Sequence, residues 1–190
     1  MSTTKYESGK IENPEEINER ELMDYYGYEG RIGNVKLKLR LFRSWILQFL
    51  ASMSPSSNLA VIFQRARGVR IGRHVFLGPN VQIDLLYPHL IAIEDYVSIG
   101  MNSMIFAHSN PTCSAYLKEH FYPRQTAPVT IKNGAWIPPG TIILHGVTIG
   151  ENSVVGAGSI VINDVDPFTV AAGVPAKQVK RLQKQTEPIK

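Results

Sequence analysis

The chain of 190 residues contains only one cysteine, Cys113. A single thiol excludes an internal disulfide framework and agrees with a reducing compartment. No apolar run reaches the roughly 18 residues of a membrane span, and the polar first twenty residues lack the pattern of a signal peptide. We therefore expect a cytoplasmic protein.

The basic residues also lack the arrangement that nucleic-acid binding requires. Lysines and arginines are neither interleaved with aromatic residues nor part of a recognition motif, so the sequence predicts no nucleic-acid partner. The formal net charge of +4 is a mild excess, compatible with an anionic ligand such as a phosphorylated cofactor. The length allows one sizeable core, and we predict one domain with an N-terminal extension.

The chain does contain a six-residue period of aliphatic residues. The period comprises Ile71, Leu77, Ile83, Ile93, Ile99, Ile105, Ile131, Ile137, Ile143, Ile149, Val155 and Val161. A small or β-branched residue stands two positions before each, which is the alternation of a strand with every second side chain inward. Glycine and asparagine, which tolerate positive φ, follow in turn positions. Each hexad is therefore predicted to be one short strand and one corner.

Three such hexads close a triangular coil, and stacked coils bury a continuous aliphatic core. The predicted fold is mainly β, a parallel β-helix of hexapeptide repeats. The twelve positions make four coils, and both interruptions follow the third position of a coil, after Ile83 and Ile105. Residues 84–92 and 106–125 should thus leave one edge of the prism. Insertions on one face of a solenoid often form the binding face, so we predict the site between these loops.

Helices are predicted before the coils. Asn13, Pro14 and Glu16 form a helix start with several agreeing signals, and that helix should run to about Tyr26. A second amphipathic helix follows Gly33, and residues 58–67 form a third, ended by Gly68. The apolar face of the second helix carries Leu39, Phe42, Ile46, Phe49 and Leu50, with Lys36, Lys38, Arg40 and Arg43 elsewhere. Two interpretations are open: packing on the coils or on a neighbouring subunit, and weak contact with a membrane surface.

With the coils, the long loop and the segment Ile149–Ser159 in place, the chain resembles the hexapeptide-repeat acyltransferases. The resemblance is closest to the maltose, galactoside and capsule-type sugar O-acetyltransferases, spans residues 69–182, and includes the tail Val170–Lys177. It implies a left-handed helix, a homotrimer, and acetyl-CoA bound between adjacent subunits. The predicted domains are a helical extension over 1–68, a β-helix over 69–182 with a loop insertion at 106–130, a short C-terminal helix, and a tail over 183–190.

The resemblance also implies a catalytic histidine at the root of the long loop, where Ala107-His108-Ser109-Asn110-Pro111 stands. Moving an acyl group from a thioester to a hydroxyl needs a base that titrates near neutral pH, which suits histidine. Asn80 matches a family asparagine that contacts the acetyl or acceptor group, and is equally compatible with a left-handed turn. Asp84 is either a solvated loop residue or a group that holds the acceptor or orients the imidazole. Glu119 is a further candidate for that orienting role.

For the donor, the resemblance implies that Trp136 lies beside the pantetheine arm, and a subunit-contact role is compatible with it. Small residues that let the arm approach the backbone, and basic residues for the phosphates, complete the predicted cofactor set. These are Ala157, Gly158, Ala172, Gly173, Lys177 and Lys180. Both lysines are predicted one helical turn apart, and a charged helix surface without a ligand is an alternative explanation for them. The chain departs from the family pattern at Lys132, Pro138 and His145.

The predicted function is an acetyl-CoA-dependent O-acetyltransferase acting on a hydroxyl of a sugar or sugar-containing polymer, without a metal. One alternative is a zinc lyase of the γ carbonic anhydrase type, because His145-Gly146-Val147 resembles one of its ligand segments. The companion histidine expected at position 140 is Gly140, so that ligand triad is incomplete. A non-catalytic trimeric scaffold is a second alternative. Cys113 as a covalent acyl carrier is a third, although direct transfer needs no such intermediate.

Overall fold

A computed structural model describes residues 13–183, so residues 184–190 of the predicted tail at 183–190 lie outside the described residues. The described chain divides into two compact units. One contains residues 13–40 and 110–124, and the other contains residues 41–109 and 125–183. These limits differ from the domain boundary after residue 68 that we predicted from the sequence. No helix among the described residues is long and apolar enough to cross a membrane.

Three helices precede the coils, as predicted. Helix α1 spans Pro14–Tyr26; the side chain of Asn13 accepts a hydrogen bond from the Glu15 N–H, and Gly27 ends the helix with φ of 63°. Helix α2 spans Gly30–Ser52 and so begins before Gly33, after which we predicted its start. Helix α3 spans Ser57–Arg67, begins at a Ser56 cap, and ends at Gly68 with φ of 108°.

The coils form three sheets of parallel strands that are two or three residues long, and the second sheet ends in two longer strands, the last of which is antiparallel. The first sheet contains β1 (Arg70–Ile71), β4 (Ile91–Ile93), β9 (Val129–Ile131) and β12 (Thr148–Ile149). The second contains β2 (Phe76–Leu77), β5 (Ser98–Ile99), β10 (Trp136–Ile137), β13 (Val154–Val155), β15 (Thr169–Gly173) and β16 (Ala176–Arg181). The third contains β3 (Gln82–Ile83), β6 (Met104–Ile105), β11 (Ile142–Ile143) and β14 (Ile160–Val161). This topology confirms the predicted grouping of the hexads in threes.

The register also agrees with the predicted period. In the first sheet Ile71 pairs with Ile93, Ile93 with Ile131, and Ile131 with Ile149. Eleven of the twelve aliphatic residues of the period are buried, and Ile71, in the first coil, is half-buried. All twelve residues two positions earlier are buried as well. The inward side chains of successive coils therefore stack into one continuous core.

Both insertions leave the third sheet, at neighbouring strands. Ile83 and Ile105 are register partners in β3 and β6, so residues 84 and 106 begin at the same corner. The shorter insertion contains a 3₁₀ turn at Pro88–Leu90. At the root of the longer one, β7 (His108–Ser109) pairs antiparallel with β8 (Gln125–Thr126), and α4 (Ala115–His120) lies between them in sequence. The predicted common edge is therefore confirmed.

The predicted C-terminal helix is wrong, because the segment after the last coil is strand β16. Without β16 the second sheet would end at β15, and the backbone donors and acceptors of the outer edge of β15 would be unpaired. The chain turns at Gly173, with φ of 108°, and returns antiparallel so that β16 covers that edge. Lys177 pairs with Ala172 and Lys180 with Val170. The two lysines are therefore on one strand and not one helical turn apart.

The prediction that the apolar face of α2 packs on the coils is also wrong within the single chain. Phe42 and Phe49 are 61% and 54% exposed. The helix instead turns a polar face to the coils: Ser44 Oγ donates to the Leu85 carbonyl at 2.8 Å, and Gln48 Nε2 donates to the Val81 carbonyl at 3.0 Å. These backbone groups belong to a strand start and a loop that would otherwise lack partners, so polar side chains are required there.

The close stacking of coil corners predicts a strong effect of replacing Gly100 with alanine. A Cβ at this position would lie 2.4 Å from the backbone nitrogen of Pro139 and 2.6 Å from its Cδ in the next coil. Because a proline in a coil cannot swing away, we expect Gly100→Ala to lower the free energy of unfolding by about 2–3 kcal/mol. Urea unfolding measures the change. Lys132→Ala is the control at a corner after the first sheet that already carries a Cβ, although it also removes the partly exposed ion pair of Lys132 with Glu94, which contributes about 1 kcal/mol at most. A loss in the control as large as that of Gly100→Ala would contradict the steric explanation.

Candidate active site

The candidate site begins with Asp84, the first residue of the shorter insertion. Its side chain is inaccessible to solvent. Oδ1 accepts hydrogen bonds from the N–H groups of Leu86 and Tyr87, both at 2.9 Å, and Oδ2 accepts one from the Ala107 N–H at 2.8 Å. A solvated loop aspartate, one of the two interpretations from sequence, is therefore wrong. Three backbone donors fix this carboxylate at the corner where both insertions begin.

His108 lies against this carboxylate. Its Nδ1 is 2.5 Å from Asp84 Oδ2, which is the short distance of a charge-assisted hydrogen bond. An ionised carboxylate only accepts hydrogen bonds, so Nδ1 carries the proton and Nε2 of the neutral ring has the free lone pair. The His108 side chain is 21% exposed, so the ring is held but still reachable. The contact joins two residues that are 24 positions apart in the sequence.

Tyr87 restrains the same ring from another side. This residue is fully buried, and its ring centroid is 5.2 Å from that of His108 with an interplanar angle of 61°. Edge-to-face contacts of this kind are favourable and orient both rings. Sequence reasoning missed Tyr87. Its one signal was that an aromatic residue stands three positions after Asp84, inside an insertion that we associated with function.

The electrostatics keep Asp84 ionised. Burial raises the pKa of Asp84, but the hydrogen bond and charge of His108, with the N–H groups of Tyr87 and Ala107, outweigh it. The net result is a pKa of Asp84 below its ordinary value of 3.8. At neutral pH the site thus holds a carboxylate that fixes the tautomer of His108.

The lowered pKa predicts how Asp84 contributes to stability at different pH. Ionised Asp84 stabilises the folded state fully above about pH 4, and this contribution is lost as the pH falls through the folded-state pKa. We expect the melting temperature of the wild type to exceed that of Asp84→Asn at neutral pH. The difference should shrink on acidification below about pH 4. A difference that stays constant down to the acid limit in thermal unfolding would contradict the shift.

A buried cation from α3 supports the backbone that leads into Asp84. Arg67 Nη2 donates to the carbonyl of Ile83 at 3.1 Å and to that of Asp84 at 2.7 Å. Its Nη1 donates to Gln48 and Gln64, and its Nε donates to Ser44 at 3.2 Å. Desolvation lowers the pKa of Arg67 to about 10, opposed by the charge of Asp84, so it stays protonated at neutral pH. Sequence reasoning missed this residue.

Asn80 lies at a corner between the second and third sheets. Its φ is 56°, its Nδ2 donates to Asn102 Oδ1 at 2.8 Å, and its Oδ1 accepts from Gln82 at 2.6 Å. It is therefore a left-handed turn residue, as one of its two interpretations had it. Asn80 and Asp84 also line the same cavity of about 380 Å³, together with Trp45, Phe49 and Phe106. A role in contacting an acyl or acceptor group stays a prediction.

The residues predicted to bind the donor lie at the second sheet and its last corner. Trp136 pairs with Val154, Val154 with Val170, and Val170 with Lys180, so Trp136 and Lys180 share one row across the sheet. A Cβ on Gly156 would meet the Ala172 Cβ at 2.6 Å. Gly173 N–H donates to Ser159 Oγ at 3.0 Å, so the corner with Ala157 and Gly158 adjoins Ala172, Gly173 and Lys177. Trp136 is 55% exposed. The predicted donor set is therefore one contiguous surface.

The residues 110–124 of the long insertion form a compact unit with α1. Glu21 accepts hydrogen bonds from Lys118 Nζ and Arg124 Nε, both at 2.7 Å, and Asn18 Nδ2 donates to the Thr112 carbonyl at 2.8 Å. Burial raises the pKa of Glu21, but Lys118 and Arg124 outweigh it and lower the net value. Glu119 is exposed on α4. The carboxylate at hydrogen-bond distance from His108 is that of Asp84.

The zinc alternative requires three ligands around one position. Among residues 13–183, no group of three histidine, cysteine, aspartate or glutamate side chains is arranged to hold a metal ion. Cys113, the predicted alternative acyl carrier, is exposed and forms no disulfide in the unit with α1. For neither alternative do the described residues form an arrangement as specific as the contact between Asp84 and His108.

The fold and this corner define a class of proteins, the hexapeptide-repeat acetyltransferases with a left-handed β-helix, and the chain belongs to that family. The family model for the bacterial transferase hexapeptide (six repeats) matches residues 128–163. The putative lipopolysaccharide biosynthesis O-acetyl transferase WbbJ of Escherichia coli K12 is 32% identical over 149 residues. That alignment covers 70% of this chain and 75% of the relative.

Two further similar proteins are galactoside acetyltransferases, one compared by sequence and one by structure. Galactoside O-acetyltransferase of Escherichia coli K12 is 35% identical over 123 residues, which is 64% of this chain. This chain spans 58% of the length of that relative. A solved structure of a galactoside acetyltransferase in complex with coenzyme A superposes with a TM-score of 0.58 at 27% identity. The superposition covers 77% of this chain and 82% of that one. The predicted family and fold class are thereby confirmed.

Proposed function

We propose that this protein is an acetyl-CoA-dependent O-acetyltransferase that acetylates a hydroxyl of a sugar or sugar-containing polymer, with His108 as the general base. The observation that carries the proposal is the contact between Asp84 and His108 at the corner where both insertions begin. The galactoside and lipopolysaccharide O-acetyltransferase relatives support a sugar acceptor. The coenzyme A complex of the structural neighbour supports the donor.

The proposed reaction is a direct transfer. The acceptor hydroxyl approaches Nε2 of His108, and its oxygen attacks the thioester carbonyl as Nε2 takes the proton. The tetrahedral intermediate collapses by breaking the carbon–sulfur bond, and the imidazolium returns the proton to the departing thiolate. Ionised Asp84 stabilises the imidazolium while it exists and keeps Nδ1 as the donor. No acyl-enzyme intermediate forms, so Cys113 has no role in this scheme.

The donor is proposed to lie along the surface that contains Trp136, Ala157, Gly158, Ala172, Gly173, Lys177 and Lys180. Small side chains at the corner leave room for a thin pantetheine arm, and the two lysines supply charge for phosphates. In a homotrimer this surface of one subunit would face the His108 corner of the next, which would complete the site between subunits. That assembly is part of the proposal, and sedimentation equilibrium of the purified protein measures it.

The activity is tested by following thiol release from acetyl-CoA with purified protein across sugars, amino acids and aminated sugars. The proposal expects release that depends on a sugar hydroxyl, with an acetyl ester identified in the product by mass spectrometry. Release only with amine acceptors, or zinc-dependent hydration of carbon dioxide, would overturn it.

Replacing Trp136 tests the donor surface. Because the exposed indole would contact the pantetheine arm, Trp136→Ala should raise the KM for acetyl-CoA about tenfold and leave the KM for the acceptor within about twofold. Phe76→Ala is the matched control, since Phe76 is a comparably exposed aromatic residue of the same sheet. An effect confined to the acceptor would move Trp136 out of the donor site.

A further inference from the structure

Helix α2 presents a long apolar face to solvent. Seven of the exposed apolar residues of α2 and the residue after it follow at intervals of three or four, which places them on one side of a helix, and exposed Leu50 adjoins them. The seven are Ile32, Val35, Leu39, Phe42, Trp45, Phe49 and Met53. The buried residues of α2, Gly33, Leu37, Ser44, Gln48 and Ala51, occupy the opposite side. The exposed stripe is thus not an extension of the core, and we call it the α2 stripe.

Large aromatic residues dominate the middle of the α2 stripe. The rings of Phe42, Trp45 and Phe49 stack in succession, with centroids 6.2 and 6.3 Å apart. Each of the three is more than half exposed. A contiguous apolar surface of this kind on a protein marks an interaction site, and tryptophan and phenylalanine favour the interface between lipid headgroups and acyl chains.

The segment of sequence that contains the α2 stripe carries charge of one sign. Between residues 30 and 83 the sequence has nine lysines and arginines and no aspartate or glutamate, whereas the rest of the chain has eleven basic and sixteen acidic residues. Helix α2 itself carries five of the nine, Arg31, Lys36, Lys38, Arg40 and Arg43. Several also have local contacts: Arg43 donates to the Ala66 carbonyl, Arg40 lies over the Tyr26 ring, and Lys38 is 3.8 Å from Glu19.

We infer that the α2 stripe rests on an anionic phospholipid surface, with the apolar side chains at the headgroup boundary and the flanking cations on lipid phosphates. A strongly basic helix with an aromatic face has the composition of interfacial helices. A symmetric contact between two copies of this surface is disfavoured, because it would bring the basic residues of the two helices close to each other. The helix lacks the continuous apolar length of a membrane span, so it lies on the surface and does not cross it.

The test is partition of the full-length protein into unilamellar vesicles. The probes are vesicles of phosphatidylcholine alone and vesicles with about one third phosphatidylglycerol. We expect binding to the anionic vesicles, weak binding to the neutral ones, and loss of binding as salt is raised. Replacing Phe42, Trp45 and Phe49 together with serine should reduce partition at least about tenfold, and Lys36→Gln about fivefold. Circular dichroism and thermal unfolding establish that each variant is folded.

Two controls keep the inference falsifiable. Val174→Ser with Val179→Ser removes comparably exposed apolar residues from the β15–β16 hairpin and should leave partition unchanged. Each single-tryptophan variant reports on one position. In Trp136→Phe the fluorescence comes from Trp45 and should shift to shorter wavelength on anionic vesicles. In Trp45→Phe it comes from Trp136 and should not shift. Absence of binding to anionic vesicles overturns the inference. So does a triple serine variant that binds like the wild type, or one that loses binding only because its oligomeric state has changed in sedimentation velocity.

Discussion

Replacing His108 with alanine should lower kcat/KM for acetyl transfer by about 10³-fold, because general-base catalysis contributes that order of rate enhancement. The imidazole is a base held by the buried carboxylate at the shared corner of the two insertions. Its loss removes the acceptor of the hydroxyl proton while leaving binding of the donor intact. Most of the loss should therefore appear in kcat, measured by thiol release at saturating acetyl-CoA.

The control for this variant is His74→Asn. His74 stacks on Tyr96 at another corner with φ of 55°, a conformation that asparagine tolerates. It should retain activity within about twofold, since it lies apart from the proposed machinery. Sedimentation and circular dichroism should show that His108→Ala keeps the assembly and fold of the wild type. A His108→Ala enzyme with full activity would remove the general base from the proposed function.

The second large effect is expected from Asp84→Asn, which should lower kcat by about 10²- to 10³-fold. The amide oxygen would remain with the N–H groups of Leu86 and Tyr87, so the NH₂ group would face Ala107 and His108. An NH₂ donor requires Nδ1 of His108 to accept, which moves the ring proton to Nε2. The atom proposed to take the hydroxyl proton would then have no lone pair.

Asp95→Asn supplies the same chemical change without this consequence. Asp95 pairs with Arg73 at a different corner, with Nη2 and Oδ2 3.1 Å apart. It should keep kcat near the wild-type value. Because the tautomer argument concerns chemistry and not binding, the KM for both substrates should change little in Asp84→Asn. Equal losses in the two aspartate variants would assign the effect to general destabilisation.

The β-helix could be predicted from local pattern because each hexad repeats one physical requirement. An inward aliphatic residue every six positions defines strand, corner and register together, and Ile71, Ile93, Ile131 and Ile149 pair as the period predicts. The shared corner of the two insertions followed from the same count. Helix α1 was predictable for a different local reason, since Asn13 and Pro14 supply the cap and the first helical φ.

The errors arose where the deciding partner was distant in sequence. Lys177 and Lys180 have spacing compatible with a helical turn, but the open edge of β15 offered backbone partners and selected a strand. The orientation of helix α2 was predicted from its apolar face. In the structure Ser44 and Gln48 face the coils instead, because they donate hydrogen bonds to the carbonyls of Leu85 and Val81. In both cases tertiary hydrogen bonding outweighed local preference.

Spacing along the chain was enough to predict the coil architecture and the position of the insertions, and the family resemblance pointed to the histidine at the root of the longer one. The burial of Asp84, its contact with His108 and the support of both by Tyr87 and Arg67 could be seen only in the folded molecule. The reason is physical: these residues come from separate segments, and their ionisation and orientation depend on burial and hydrogen bonds that exist only once the coils have stacked.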